Sequence, residues 1–280
     1  MATSTTYNRA FWNVMKGKEE NNQNLSEGFD NVGAYVAPDE FREGFNTTLA
    51  KENIFRRFAT VINLSSAEGK IQAVSSTGTA DWVEDGDTIP ESADTFTQFL
   101  VKSYKLASLV KLNRSFVTDM NFNLEKYLMG DFAKRFGKAE ENALLNGNGT
   151  TQPTGILTAD ADVTTADNST ISFDEIISLY FSLKNEYRNN AVFIMHDNTA
   201  MLLRTLKDTS GSYLWNSSDN TIFGKPVVIS PYMPTVSAGA KSIVFGDLSY
   251  YWLIERQPIT IKKLSELYAL QGQIGFSAGV

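Results

Sequence analysis

The chain has 280 residues, of which 42% are hydrophobic and 12% aromatic, enough for one or two buried cores and too much for a disordered protein. It has no cysteine, which excludes disulfides, thiolate metal sites and a cysteine nucleophile. Its 25 basic and 32 acidic residues give a net charge of −7, which opposes adhesion to nucleic acid because phosphate binding needs a basic surface.

The N-terminus lacks the apolar core of a signal peptide and no run of eighteen apolar residues follows, so the chain reads as soluble, with no membrane partner. Residues 1–50 are polar and irregular, with Asn21, Asn22, Asn24 and Asn31 clustered, and read as an arm and lead-in. Within them, Tyr7 to Met15 predicts a short helix with Phe11, Trp12 and Met15 on one side. Two large aromatics on an arm need a place to be buried, on the same domain or on a neighbour. From Pro38 to Ala59 the pattern predicts a helix with Phe41, Phe45 and Leu49 on one face and a turn at Glu52-Asn53. Val61 to Leu64 and Ile71 to Val74 read as short strands.

Residues 80–112 contain an acidic turn, Glu84-Asp85-Gly86-Asp87, then Pro90, then about seventeen residues from Phe96 to Leu112 in rough apolar–polar alternation. As one strand that segment would extend about 55 Å, too long for a compact core, so most of it should project and lie on a partner surface. The acidic residues Glu84, Asp85, Asp87 and Glu91 lack the spacing of a known Ca²⁺ loop; pairing with Lys or Arg of an adjacent subunit is the other use.

Asn123 to Leu157 is the most informative stretch. Leu124, Leu128, Phe132, Phe136, Ala139 and Ala143 recur at steps of three and four between charged residues, predicting one long amphipathic helix over 123–146, roughly 35 Å in length. Asn123 can cap its start, and Asn146-Gly147-Asn148-Gly149 ends it with residues that tolerate positive φ. Beyond it, Ile171 to Tyr187 predicts a helix, Ala191 to Met195 a buried strand, Thr199 to Lys207 a helix and Phe223 to Ile229 a strand, the order of a compact α/β unit. Further strands are predicted near Ile243 to Phe245, Tyr251 to Ile254, Ile259 to Leu264 and from Gln273 onward.

No constellation for chemistry stands out. The single histidine, His196, follows an apolar strand and reads as structural, and there is no HExxH, GxSxG, P-loop or dinucleotide fingerprint. No catalytic, metal or cofactor residue is assigned, and the chain is not expected to be an enzyme.

Several motifs nonetheless match one family in order. The helix ending in Glu140-Glu141 and the string to Leu157 (ALLNGNGTTQPTGIL), the Trp82-Val83-Glu84 start, the IPES of Ile89 to Ser92, the return segment from Lys105 to Phe116, and GKPVVISPYMP from Gly224 to Pro234 resemble the major capsid proteins of tailed double-stranded-DNA phages, with the Hong Kong 97-type shell fold. The resemblance implies an α+β fold with an N-terminal arm over 1–50, an extended β-hairpin loop at about 68–108, a peripheral domain over 51–157 and 246–280 carrying the long spine helix, and an axial α/β domain over 158–245. It implies self-assembly through pentamers and hexamers into an icosahedral virion head that encloses double-stranded DNA without sequence-specific binding, with assembly in the host cytoplasm. It further implies inter-subunit contacts at Phe11, Trp12, Trp82, Glu84, Asp85, Asp87 and Lys102. Nothing resembles the family's N-terminal scaffolding domain, which points to a separate scaffolding protein, to none, or to a trimmed start; a portal is a further expected partner.

Some relatives join a loop lysine covalently to an asparagine of a neighbour's peripheral domain. Lys102 and Lys105 could donate, but no asparagine follows Asn220, so no such mesh is expected. An encapsulin-like compartment shell shares the fold and is the alternative reading; a soluble hydrolase with an acidic site is the reading from another class.

Overall fold

A computed structural model describes residues 5–18, 25, 34–64, 69–76, 82–83, 88, 95–119, 121–215 and 220–280. Its elements in chain order are α1 (Thr5–Lys16), β1 (Tyr35–Val36), α2 (Asp39–Glu52), α3 (Ile54–Phe58), β2 (Thr60–Asn63), β3 (Gly69–Ser76), β4 (Thr95–Val101), β5 (Ala107–Asn113), α4 (Arg114–Thr118) and α5 (Leu124–Asn146). There follow α6 (Phe173–Ser182), β6 (Val192–Met195), α7 (Asp197–Arg204), β7 (Thr221–Ile222), β8 (Lys225–Ile229), β9 (Ile243–Gly246), β10 (Trp252–Glu255), β11 (Thr260–Leu264) and β12 (Gln273–Gly279).

Two four-stranded sheets carry the fold. The first, in the order β1-β11-β12-β5, is antiparallel throughout, and its inner face contributes Val110, Ile261, Ile274, Phe276 and Ala278 to a core shared with α1, α2 and α5. The second runs β7-β8-β6-β9, with β6 and β8 parallel. All four side chains of β6 are buried because both faces of that sheet are covered: Val192 and Ile194 face a core with Leu144 and Leu145 of α5, and Phe193 and Met195 a core with Ile176 of α6 and Leu203 of α7. A continuous apolar run of strand length is what a doubly covered strand requires.

Helix α5 joins the two halves. Asn123 caps it, its side chain accepting from the Lys126 amide at 3.0 Å, as its sequence position suggests. Leu124, Leu128, Phe132 and Phe136 enter the first core, but the stripe does not continue through Ala139, which is exposed. Each step of four residues overshoots a turn by about 40°, so the buried face passes instead to Glu141, Leu144 and Leu145, where it meets the second core.

The turn after α5 also departs from expectation. Gly147 is extended, at φ −64° and ψ 151°, and only Gly149, at φ +70°, uses the left-handed region. The constraint at Gly147 is space: a Cβ there would lie 1.8 Å from the Pro153 carbonyl oxygen and 2.3 Å from that of Ala143. The returning chain closes against it, with the Gly155 amide donating to the Gly147 carbonyl at 2.9 Å.

The segment from Phe96 to Leu112 is two strands, not one. β4 pairs with β3 in a hairpin with a bulge between Val74 and Ser76, whereas β5 joins β12 in the first sheet. The break spans 102–106, where Leu106 exchanges two backbone hydrogen bonds with Val280 and so enters the first sheet. Only the second half belongs to a four-stranded sheet.

Helices α1 and α2 are packed into the chain's own core, so the described residues of 5–50 do not form a free arm. The apolar face of α1 packs on α2, with Trp12 and Phe41 rings 5.7 Å apart, and the ring series continues through Phe45 to Phe136 of α5. The Tyr7 hydroxyl donates to the Val36 carbonyl at 2.7 Å, tying α1 to β1. Burial, with help from Tyr35 and against the pull of Arg42, pushes the Tyr7 phenol up to about 12. Since the folded state holds this proton more tightly than the unfolded one, whose pKa is about 10, the contribution is complete below pH 10 and lost as pH rises through about 12.

Two outcomes follow from these packings. Gly147→Ala is expected to cost about 3 kcal/mol, the upper range for overpacking, read as a lower urea midpoint; an unchanged midpoint would mean that the 147–155 turn opens freely. In an alkaline titration of stability, the parent protein should lose more between pH 10 and 12 than Tyr7→Phe does, and parallel curves would remove Tyr7 from the account.

Candidate assembly surfaces

Adjacent residues on a helix point about 100° apart, so Glu140 and Glu141 of α5 serve two different partners. Glu141 falls on the apolar face and is buried; its carboxylate accepts from the Ile54 amide at 3.1 Å and from the Ser230 hydroxyl at 2.6 Å. Glu140 faces α3, where Arg56 forms a two-pronged pair with it (Nε to Oε2 at 2.9 Å, Nη2 to Oε1 at 2.7 Å) and the Asn53 amide donates at 2.9 Å. The third arm of Arg56 bonds Glu255 of β10. Burial works against the guanidinium charge, but the hydrogen bonds and charges of Glu140 and Glu255 outweigh it and raise the Arg56 pKa, so this cation is permanent. One cluster thereby binds α5, α3, β10 and the end of β8.

That junction braces β2, which pairs in parallel with β10 and leads directly to the β3–β4 hairpin. The hairpin root is also held on its return side: Arg256 donates to the Ser103 hydroxyl at 3.1 Å and the Tyr104 hydroxyl to the Gly149 carbonyl at 2.9 Å. Beyond the root, β3 and β4 pair only with each other among the described residues, and an eight-residue strand extends about 25 Å. Between the strands, Trp82 is wholly exposed at 105% of its reference area, with Val83 and Thr88 also exposed. Lys102 lies exposed at the root, while Glu84, Asp85 and Asp87 lie outside the described residues.

Phe11 and Trp12 do not join this surface. They are 0% and 7% exposed within the first core, so the expected burial on a neighbour is replaced by burial on the chain's own α2. The physical reason is that Tyr7, Ala10, Phe11, Val14 and Met15 form a complete apolar face, which the nearby core satisfies. His196 caps α7, its Nδ1 accepting from the Asn198 amide at 3.0 Å. A second exposed apolar set, Phe181, Met201, Leu202, Tyr213 and Leu214, lies on the elements around the second sheet; sequence reading missed it because amphipathic periodicity cannot tell an uncovered apolar position from a core one.

The comparisons with known proteins bear on what such a subunit does. The model of the phage capsid family matches residues 33–279. The chain belongs to the phage capsid family. It is similar to the capsid chain of an empty GTA particle, at 26% identity and a TM-score of 0.71, over 81% of this chain and 84% of that one. The capsid of a native GTA particle matches at 25% identity and a TM-score of 0.67, over 83% and 84%. A chain of Microbacterium phage Oxtober96, at 17% identity, a TM-score of 0.59 and coverage of 81% and 82%, shares the fold. No curated protein matches. The Hong Kong 97-type capsid fold expected from the sequence agrees with these neighbours, and the chain is a major capsid protein, a structural subunit of the virion that assembles with its own copies into a phage shell.

In this capsid subunit the Arg56 cluster carries a measurable load. Removing one member of a mostly buried ion pair strands the others, so Arg56→Ala should cost about 3 kcal/mol in chemical unfolding of the subunit, whereas a loss near zero would mean that water reaches Glu140 and Glu255.

Proposed function

We propose that this capsid protein closes pentamers and hexamers into an icosahedral head, with residues 158–245 as the axial domain around each ring centre and 51–157 with 246–280 as the peripheral domain. The β3–β4 hairpin rests on a neighbouring subunit through Trp82, Glu84, Asp85, Asp87 and Lys102. Assembly begins in the host cytoplasm with a separate scaffolding protein and a portal, and the finished head encloses double-stranded DNA. The net charge of −7 suits containment of DNA without sequence-specific grip. The subunit performs no catalysis; its work is to associate.

The observation that carries this reading is the wholly exposed indole of Trp82 between two strands that no third strand among the described residues supports. A lone hairpin is marginal in water and an exposed tryptophan is the side chain most enriched at energetic centres of interfaces, so both need a partner surface. Repeated by symmetry, many weak contacts then yield a shell far more stable than any one of them.

Size-exclusion chromatography followed by negative-stain electron microscopy of the parent protein is expected to show closed particles or ring-shaped capsomers. Trp82→Ala should raise the concentration needed for assembly by about tenfold or more, as for the loss of roughly 2 kcal/mol per contact, while leaving the monomer's unfolding midpoint in place. Equal loss of folding and assembly would overturn the assignment of Trp82 to an interface.

A further inference from the structure

One short piece of chain after α5, residues 148–159, is gripped near both ends by side chains from different parts of the subunit. Near its start the Tyr104 hydroxyl donates to the Gly149 carbonyl at 2.9 Å. Near its end the Lys241 ammonium donates to the Leu157 carbonyl at 2.7 Å and also to that of Ala159. Tyr104 lies at the hairpin root between β4 and β5, whereas Lys241 stands just before β9 of the second sheet. The piece has little slack between these grips. The Asn148 side-chain oxygen accepts from the Thr150 and Thr151 amides at 3.0 and 3.2 Å, and the Gly155 carbonyl accepts from the Thr158 amide and hydroxyl at 3.1 and 2.7 Å. Ile156 and Leu157 pack on the second core. Residues 160–170 are exposed apart from half-buried Val163, so Lys241 holds the last anchored residues before an open loop.

The core between the two halves of the subunit is apolar, and apolar contact stabilises without fixing direction, whereas hydrogen bonds fix it. Glu141 supplies one directional attachment, to Ser230 at the end of β8. Lys241 supplies another at the start of β9, and β8 and β9 flank β6, with Ile229 and Ile243 both level with Met195. The two attachments therefore lie at the same end of the sheet, about 10 Å apart, and two separated points define an angle where one does not. We propose that residues 148–159 form a strap from the hairpin root to the axial half, and that Tyr104 and Lys241 are positioning residues that set the angle between the halves and through it the curvature and size of the shell. The proposal rests on the reading that the subunit has peripheral and axial parts and closes into shells, and adds what fixes one part against the other. Identical subunits repeat one angle at every contact, so a small change in it alters the radius at which the shell closes.

The test compares particle diameters, read by electron microscopy after assembly under one condition, with the unfolding midpoints of the subunits. Lys241→Met keeps the stem and removes the donor; it should raise the share of particles outside the main size class about tenfold, as for the loss of charge-assisted bonds, and Tyr104→Phe about threefold, as for a neutral one. The double variant should be no broader than Lys241→Met alone, because a strap released at one end transmits nothing from the other; effects that multiply would overturn the strap as one unit. Lys241→Arg, which restores a cationic donor, should return the parent distribution. Tyr7→Phe, which loses a comparable bond within the first core, is the control: it should lower stability and leave diameters alone, and equal broadening there would reduce Lys241 and Tyr104 to ordinary stabilising residues and overturn the proposal. Parent diameters in both single variants would also overturn it while leaving the shell reading intact. Parent subunits that form no closed particle would overturn the shell reading and the strap with it.

Discussion

Two carboxylates side by side near the end of a long helix must be withdrawn from water in this subunit, and much of the architecture answers that demand. Taking a charged group out of water costs several kcal/mol unless geometry and hydrogen bonds return it. Glu140 receives a two-pronged guanidinium and an amide; Glu141 receives a backbone N–H and a hydroxyl. The donors come from α3, from the loop before it and from the end of β8, so the two sheets are held in one arrangement by groups that no other arrangement would satisfy. The cluster's main contribution is therefore to orientation, with a smaller one to net stability, and a shell subunit needs orientation because small angular errors accumulate around a ring.

From that junction the exposed features acquire their meaning. β2 is paired to β10, which carries Glu255, and the hairpin leaves from β2 and returns through a root stapled by Ser103 and Tyr104. The hairpin is thus held at both of its ends. Its indole is left in solvent by the chain itself, while the largest apolar side chains of α1, α2 and α5 are buried. A two-stranded hairpin with no third strand among the described residues, together with an uncovered aromatic, calls for a partner surface, in keeping with membership of the phage capsid family.

Much of this was legible in advance. The period of α5, its asparagine cap, the continuous apolar run of β6 and the phage-type strings around Trp82, Gly147 and Gly224 all identify elements or family from short-range pattern. Three particulars were not. The alternation from Phe96 to Leu112 continues across two strands because alternation registers a pleated surface and is blind to which sheet the surface belongs to. The glycine after α5 suggested a left-handed cap, but Gly147 is required by the carbonyl of Pro153, a contact made by the returning chain. The aromatics of α1 suggested an anchor for a neighbour, and their own core took them.

By itself, then, the sequence determined the elements, the doubly covered strand, the absence of disulfide chemistry and the kind of particle the chain builds, since these depend on side-chain periodicity, composition and short motifs. Only the tertiary structure decided which carboxylates are buried, which aromatics stay in water and where the long alternating segment breaks. Each of those outcomes is set by a partner distant along the chain: Arg56 lies 84 residues from Glu140 and Ser230 lies 89 from Glu141. A local pattern can require that such a partner exist, as the glutamate on the apolar face of α5 does, but its identity is fixed only when the chain closes on itself.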